Sequence, residues 1–314
     1  MKVFLCESLH PKALALLKSR AEIVSDWERL DEVDAIVNRN LQLPREVLEK
    51  APKLKVIAVH GIGSDGIDLE YCDEHNITVL YVPAQNADSV AELNVTLMLA
   101  LLRKIHQADR LMTGGKITQA GPPELMGNEL RGRKVGLIGV GDIARRTGRI
   151  LRYGFGCELI GYDPYWPTEK AAELGVEHCE TLEELLGKAD IISMGVHLTA
   201  STANLINAET LKLCKPTAIL INCSRGGVVD ELALSEALKN GTIAGAACDV
   251  WVQEPPPMDH PLIGLPNMLA IPHLGANTDE ALQRVGMRMV QDIFLTLDGG
   301  KPEFVYSLHG TRTN

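Results

Sequence analysis

Three side chains in the second half of this 314-residue sequence are suited to anion and acid–base chemistry, and each follows a short apolar run ending in a loop. Ile219-Leu220-Ile221-Asn222-Cys223-Ser224-Arg225-Gly226-Gly227 puts an arginine on a glycine-rich loop beyond a buried-type strand. A guanidinium there can clamp a carboxylate through two parallel N–H donors and polarise a neighbouring carbonyl. Cys248-Asp249-Val250-Trp251-Val252-Gln253-Glu254-Pro255-Pro256 holds Glu254 before a stiff proline run, and Ile271-Pro272-His273-Leu274-Gly275-Ala276 sets His273 at the end of the last strand. A carboxylate paired with an imidazole fixes the ring's tautomer and favours its protonated form, which makes a proton donor for reducing a ketone. Singly, each residue has a plainer use, since an arginine before two glycines can close a turn and most lone histidines are structural. Together, at three carboxyl edges of one sheet, they define a reaction centre.

Such a reduction needs an electron source, and Lys134-Val135-Gly136-Leu137-Ile138-Gly139-Val140-Gly141-Asp142-Ile143-Ala144 supplies its signature. The run reads as strand, tight turn and helix. Gly139 makes the turn, Gly141 lets the backbone approach a pyrophosphate, and Ala144 stands where a third glycine would let strand and helix pack. The free N–H groups of the helix start face an anion. Asp163, 22 positions beyond Gly141 at the end of Glu158-Leu159-Ile160-Gly161-Tyr162, is spaced to accept both adenosine ribose hydroxyls and repel a 2′-phosphate. The cofactor expected is therefore NAD rather than NADP.

Parallel sheets must position these groups. Six strand-like runs, 135–138, 158–162, 191–194, 218–222, 243–248 and 268–271, alternate with helical stretches in a doubly wound pattern. Upstream, Val3-Phe4-Leu5, Ala35-Ile36-Val37, Val56-Ile57-Ala58-Val59 and Thr78-Val79-Leu80-Tyr81 alternate with amphipathic stretches at 11–20 and 44–50, implying another parallel sheet. Its third run enters His60-Gly61-Ile62-Gly63, a turn whose backbone N–H groups can hold a carboxylate. Ser89 and Glu92 have capping-box spacing, so a long helix is expected from there to about Met112, and a second from Asp279 to Gly299-Gly300. The segment between the first of these and Arg133 reads as an irregular arm.

Composition narrows the partners. A net charge of −10 and a pI near 5.4 argue against nucleic acid or an anionic membrane surface. Seven scattered cysteines without a C-x-x-C pair suggest neither disulfides nor a metal site, and the cytoplasm fits best. The chain starts in a strand pattern rather than a signal peptide, and no apolar run approaches a membrane span.

Gly139 to Ala144, Asn222 to Glu231, Asp249 through Glu254-Pro255-Pro256 and Pro272 to Ala276 together resemble the D-isomer-specific 2-hydroxyacid dehydrogenases, in their phosphoglycerate dehydrogenase and hydroxypyruvate reductase branch. The likeness extends over nearly the whole chain. It implies two doubly wound α/β domains, a Rossmann NAD-binding domain (101–284) inserted in a flavodoxin-like substrate domain (1–100 with 285–314), and a homodimer through the former. It also implies that Arg225 binds the substrate carboxylate and carbonyl, His273 is the general acid/base, and Glu254 orients and charges His273. Asp142 and Ile143 would contact the pyrophosphate and Asp163 the ribose. Val196, Cys223, Asp249, His273, Gly275 and Ala276 would line the nicotinamide half, and Ile62 and Gly63 would hold the substrate carboxylate by their backbone.

The chain departs from this family's pattern at three places. Gly195-Val196-His197-Leu198-Thr199 replaces a His-x-Pro-Leu-Thr run beside the adenine, and the arm lacks a tryptophan. Arg39 falls where phosphoglycerate enzymes keep an anion-binding arginine, whereas His60 falls where they keep another. The weaker anion site favours a small substrate such as hydroxypyruvate or glyoxylate, with 3-phosphoglycerate as the alternative. A non-catalytic, NAD(H)-sensing dimeric scaffold is the alternative from another class.

Overall fold

The computed structural model describes residues 1–306, so residues 307–314, the end of the expected C-terminal return, lie outside the described residues. The described chain forms two compact units, one of Met1–Asn86 with residues 277–306, the other of Ala87–Ala276.

In the first unit, β1 (Lys2–Phe4), β2 (Glu22–Val24), β3 (Ala35–Asn38), β4 (Val56–Val59) and β5 (Thr78–Leu80) form a parallel sheet in the order β2-β1-β3-β4-β5. This is the flavodoxin-like order. The short strand Val305–Tyr306 adds antiparallel to β5. β3 and β4 are buried at every position, which is why they read as continuous apolar runs rather than alternating ones. One sheet face is covered by helices Pro11–Lys18 and Asp279–Leu297, whose Leu17, Val285, Met289 and Ile293 join Val3, Val37 and Ala58 in one core.

The second unit holds β6 (Lys134–Ile138), β7 (Glu158–Tyr162), β8 (Val176–His178), β9 (Ile191–Met194), β10 (Ile219–Asn222), β11 (Gly245–Cys248) and β12 (Met268–Ala270). They are parallel throughout, in the order β12-β11-β10-β9-β6-β7-β8. That is the Rossmann order with one strand added, and the order reverses between β6 and β9, where such sheets bind their ligands. β8 adds a seventh strand to the six expected; its Val176-Glu177-His178 buries only the valine, too little for a hydrophobic pattern. β2 escaped for the same reason.

The two long helices set the boundaries between the units. The first, Ala87–Leu102, packs on helix Asp142–Phe155 and on β10 and β11, so it belongs wholly to the second unit, and the division falls before it rather than near residue 100. The second packs on helix Pro11–Lys18, β4 and β5, and the division falls before it at Asn277 rather than at 285. Ser89 does not cap the first helix, which begins two residues earlier; its hydroxyl is buried and donates to the Gly275 carbonyl at 2.7 Å. Nor does that helix reach Met112. Lys104 turns left-handed (φ 54), the Leu102 carbonyl accepts the N–H of Asn128 from the arm, and a separate helix runs over Ile105–Thr113.

Candidate active site

The Arg225 loop is built by Asn222, the buried last residue of β10. Its side-chain oxygen accepts the N–H and hydroxyl of Ser224 at 3.0 and 2.8 Å, while its amide donates to the Arg225 carbonyl at 2.9 Å. Arg225 is thereby held extended and half-buried, with Nη1 donating to the Ser224 carbonyl at 2.8 Å. A Cβ on the next residue, Gly226, would lie 2.0 Å from the Trp251 carbonyl carbon, so only glycine lets this loop lie against the one carrying Glu254.

Glu254 and His273 meet directly, with His273 Nδ1 2.6 Å from Glu254 Oε2 and the other carboxylate oxygen accepting the Trp251 N–H at 3.0 Å. Burial works to raise the Glu254 carboxyl. The hydrogen bond and charge of His273, the Trp251 amide and the Arg225 guanidinium outweigh it, and the group is held below its ordinary value. The Arg225 charge is thus one of those that favour the Glu254 carboxylate.

Asp249, at 1% exposure, fixes the strand end that carries the imidazole. Its carbonyl accepts the His273 N–H at 2.7 Å, and its two carboxylate oxygens accept the N–H groups of Leu274 and Gly275 at 2.5 and 2.8 Å. Burial raises the Asp249 carboxyl above its ordinary value, against the pull of those two amides. Ser89 and Trp251, neither of them read from sequence as site residues, complete this frame: Ser89 holds the Gly275 carbonyl and the Trp251 indole N–H donates to the Ile271 carbonyl at 2.9 Å. Ser89 carried a signal, but as a helix cap.

At the glycine turn, Gly139 adopts φ 81, and a Cβ there would lie 2.7 Å from the Gly195 carbonyl oxygen. Gly141 is different: a Cβ would meet nothing within 4 Å, so the space before helix Asp142–Phe155 is open. That helix starts with no side-chain cap, leaving the amides of Asp142, Ile143 and Ala144 for an anion. Asp142 itself is exposed and paired with Arg145 at 2.5 Å. Asp163 directly follows β7, and its two oxygens accept the N–H groups of Val140 and Tyr165 at 2.8 and 2.9 Å, which ties it to the glycine turn. Val196 follows β9 beside Gly139, Cys223 follows β10 with its thiol pushed up by burial, and Ala276 closes the unit.

Arg39, His60, Ile62 and Gly63 lie in the other unit, at the carboxyl ends of β3 and β4. Arg39 donates to Ser8 Oγ at 3.3 Å and Asn277 Oδ1 at 3.1 Å. Burial first, and the Arg39 charge second, push the His60 imidazole down to about 4, so the ring is neutral at pH 7. Its Nε2 is buried and finds no hydrogen-bond partner among the described residues. Tyr306 donates its hydroxyl to the Ile62 carbonyl.

Comparison with known proteins bears on this arrangement. A family model for the D-isomer specific 2-hydroxyacid dehydrogenase NAD binding domain matches residues 95–275. D-3-phosphoglycerate dehydrogenase of Methanocaldococcus jannaschii is 38% identical over 98% of this chain, which spans only 60% of that relative. Hydroxypyruvate reductase of Thermotoga maritima is 37% identical over 94% of this chain and 98% of its own length. The crystal structure of D-lactate dehydrogenase from Aquifex aeolicus complexed with NAD and lactic acid superposes with a TM-score of 0.84 at 28% identity, covering 95% of this chain and 96% of that one. A domain match that spans the glycine turn, the Arg225 loop and the His273 strand end, with a relative covered almost end to end, makes this chain a member of the D-isomer-specific 2-hydroxyacid dehydrogenase family.

Proposed function

We propose that this chain interconverts a small D-2-hydroxy acid and its 2-oxo acid with NAD, the acid being of the hydroxypyruvate or glyoxylate kind. The observation that carries the reading is the His273–Glu254 contact of 2.6 Å. With Nδ1 bonded to the carboxylate, Nε2 is the ring atom that exchanges a proton with substrate. In the direction of reduction, imidazolium His273 donates that proton to the oxygen forming at C2, and Glu254 stabilises the ring's positive charge. Arg225 holds the carboxylate and polarises the carbonyl, and the N–H groups of Ile62 and Gly63 are the backbone donors proposed for the acid. NADH, when bound, supplies the hydride. Open space at Gly141, the uncapped helix start at Asp142 and Ile143, and the Gly139 turn fit its pyrophosphate, and Asp163 its ribose. Val196, Cys223, Asp249, Gly275 and Ala276 line the nicotinamide half.

A small acid is supported by the substrate-side residues. Arg39 already donates to Ser8 and Asn277, and His60 is uncharged, so His60 supplies no positive charge for a phosphate. Arg39 is also what favours the alternative, 3-phosphoglycerate. Oxidation of NADH with a panel of 2-oxo acids tests the reading: turnover of hydroxypyruvate or glyoxylate is expected. Preference for phosphohydroxypyruvate selects the alternative, and tight NADH binding without any turnover selects the non-catalytic scaffold. The working form is a cytoplasmic homodimer, supported by seven free thiols for the compartment; light scattering that returns a 34.2 kDa monomer overturns the dimer. No helix among the described residues is long and apolar enough to cross a membrane.

A further inference from the structure

A second carboxylate–imidazole pair lies behind the first. Glu231 is the first residue of helix Glu231–Lys239, five positions after Gly226, and His260 follows the proline run after Glu254. His260 Nε2 is 3.1 Å from Glu231 Oε2, and the two side chains are only 12% and 16% exposed. The Leu262 N–H donates to His260 Nδ1 at 3.4 Å, which leaves Nε2 as the ring atom that donates to Glu231. The other Glu231 oxygen accepts the Val252 N–H at 2.9 Å. The preceding amide, Trp251 N–H, is the one that donates to Glu254. Two successive amides therefore each hold a carboxylate, Trp251 holding Glu254 and Val252 being held by Glu231. From the other side, Gly226 lies against the Trp251 carbonyl, and the His260 ring meets the Trp251 indole edge-on, centroids 5.3 Å apart. Ser235 on the same helix donates to the Pro261 carbonyl at 3.0 Å.

We infer that Glu231 and His260 are positioning residues, a clamp that fixes the Trp251–Val252 peptide and through it sets Glu254 against His273 and the Arg225 loop. The inference rests on the dehydrogenase reading for its catalytic consequence, but the clamp is a structural claim that can be read without turnover. An uncharged, unbraced exit from β11 would leave Val252, itself 68% exposed, to exchange its N–H with water, and Glu254 would then spend part of its time away from the imidazole. A proton donor needs its partner within hydrogen-bond reach, so the loss appears in the chemical step rather than in cofactor binding.

The test is Glu231→Ala beside Glu231→Gln, the latter keeping an oxygen acceptor for Val252. Three quantities are read on the full chain: amide hydrogen exchange over 249–262, NADH affinity by fluorescence, and the pH profile of 2-oxo acid reduction. In Glu231→Ala, exchange at 251–254 rises at least tenfold, kcat falls about tenfold with NADH affinity unchanged, and the alkaline limb moves to lower pH. Glu231→Gln restores most of the exchange protection and of kcat, and adding Glu254→Gln to Glu231→Ala costs less than it does in the parent. His260→Ala carries the same three readouts if Glu231→Ala does not fold. Unchanged exchange at 251–254 in both variants overturns the clamp. Faster exchange with kcat and the limb where they were overturns its catalytic role. An unsubstituted protein that reduces no 2-oxo acid overturns the dehydrogenase reading instead, and the exchange measurement still decides whether Glu231 holds the segment.

Discussion

His273 holds a left-handed backbone, φ 54, a region that β-carbon-bearing residues enter at a cost of order 1 kcal/mol or more. It is kept there by the Asp249 carbonyl on its own N–H and the Asp249 carboxylate on the next two, which over-determine the turn and aim the ring at Glu254. Glu254→Gln leaves that turn intact but removes the charge beside the imidazole. The alkaline limb of the reduction profile then moves to lower pH; a limb that stays in place contradicts the pairing. His60 gives a separate residue-scale prediction, on stability. Its ring is held at about 4 in the folded chain, against an ordinary 6.5, because burial and Arg39 disfavour the charged form. Between those values the unfolded chain binds a proton that the folded one does not, so stability falls as pH drops from 6.5 towards 4 and is fully present above 6.5. His60→Gln lacks this titration. Its urea-unfolding free energy should therefore decline less than the parent's between pH 7 and pH 4, by at most about 3 kcal/mol. Parallel declines contradict the neutral buried ring.

Elements differ in what a single glycine does for them. Gly226 has no room for a methyl group, since backbone atoms of Trp251 and Val252 lie 2.0–2.3 Å from where it would sit, whereas Gly141 has nothing within 4 Å. Gly226→Ala is expected to destabilise the fold by roughly 1–3 kcal/mol and to abolish turnover by parting the Arg225 and Glu254 loops. Gly141→Ala should leave the melting temperature unchanged and weaken NADH binding about tenfold, near 1.4 kcal/mol, because its methyl group enters only open space, the space proposed for the dinucleotide. Melting curves and NADH titrations of the two variants separate these outcomes; unaltered NADH affinity in Gly141→Ala contradicts the pyrophosphate site. The same elements explain what was legible in the sequence. β4, β6, β7, β9 and β10 are strands buried on both faces, and continuous apolar runs betray them. β2 and β8 are edge strands with little to bury, so no periodicity marks them. The break at Lys104 depends on Asn128 taking the Leu102 carbonyl, and Ser89 serves Gly275, 186 positions away. Local pattern carries no trace of either contact. Arg225, Glu254 and His273 were legible because each follows a recognisable strand end, whereas Glu231 and His260 carry no such mark: their use depends on the path of the loop between β11 and β12.

At the scale of the whole molecule, two sheets of different order divide the labour. The Rossmann-ordered unit carries the glycine turn, Asp163, Arg225, Glu254 and His273, while Arg39, His60, Ile62 and Gly63 belong to the flavodoxin-like unit. Cofactor choice must therefore be a property of one unit, readable without substrate or turnover. A ligand that binds only the folded state stabilises it by an amount set by its concentration relative to Kd, about 2.7 kcal/mol at a hundredfold excess over Kd. NADH should accordingly raise the melting temperature of the full chain far more than NADPH at the same concentration if, as proposed, the Asp163 carboxylate accepts ribose hydroxyls and repels a 2′-phosphate. Both Asp163 oxygens already accept backbone N–H groups, from Val140 and Tyr165, so each has a lone pair left for a hydroxyl and none of its charge is cancelled by a cation among those partners. Asp163→Ala removes the discrimination along with a tie to the glycine turn. The variant melts lower without ligand, NADH raises its melting temperature less than the parent's, and NADPH becomes its equal. Thermal melts with each nucleotide check all three, and a variant that still prefers NADH to the parent's degree places the selecting group elsewhere in the turn. A parent stabilised by NADH yet inert towards every 2-oxo acid would keep the cofactor site and refute the chemistry at His273, so the melts and the substrate panel test the two halves of the function separately.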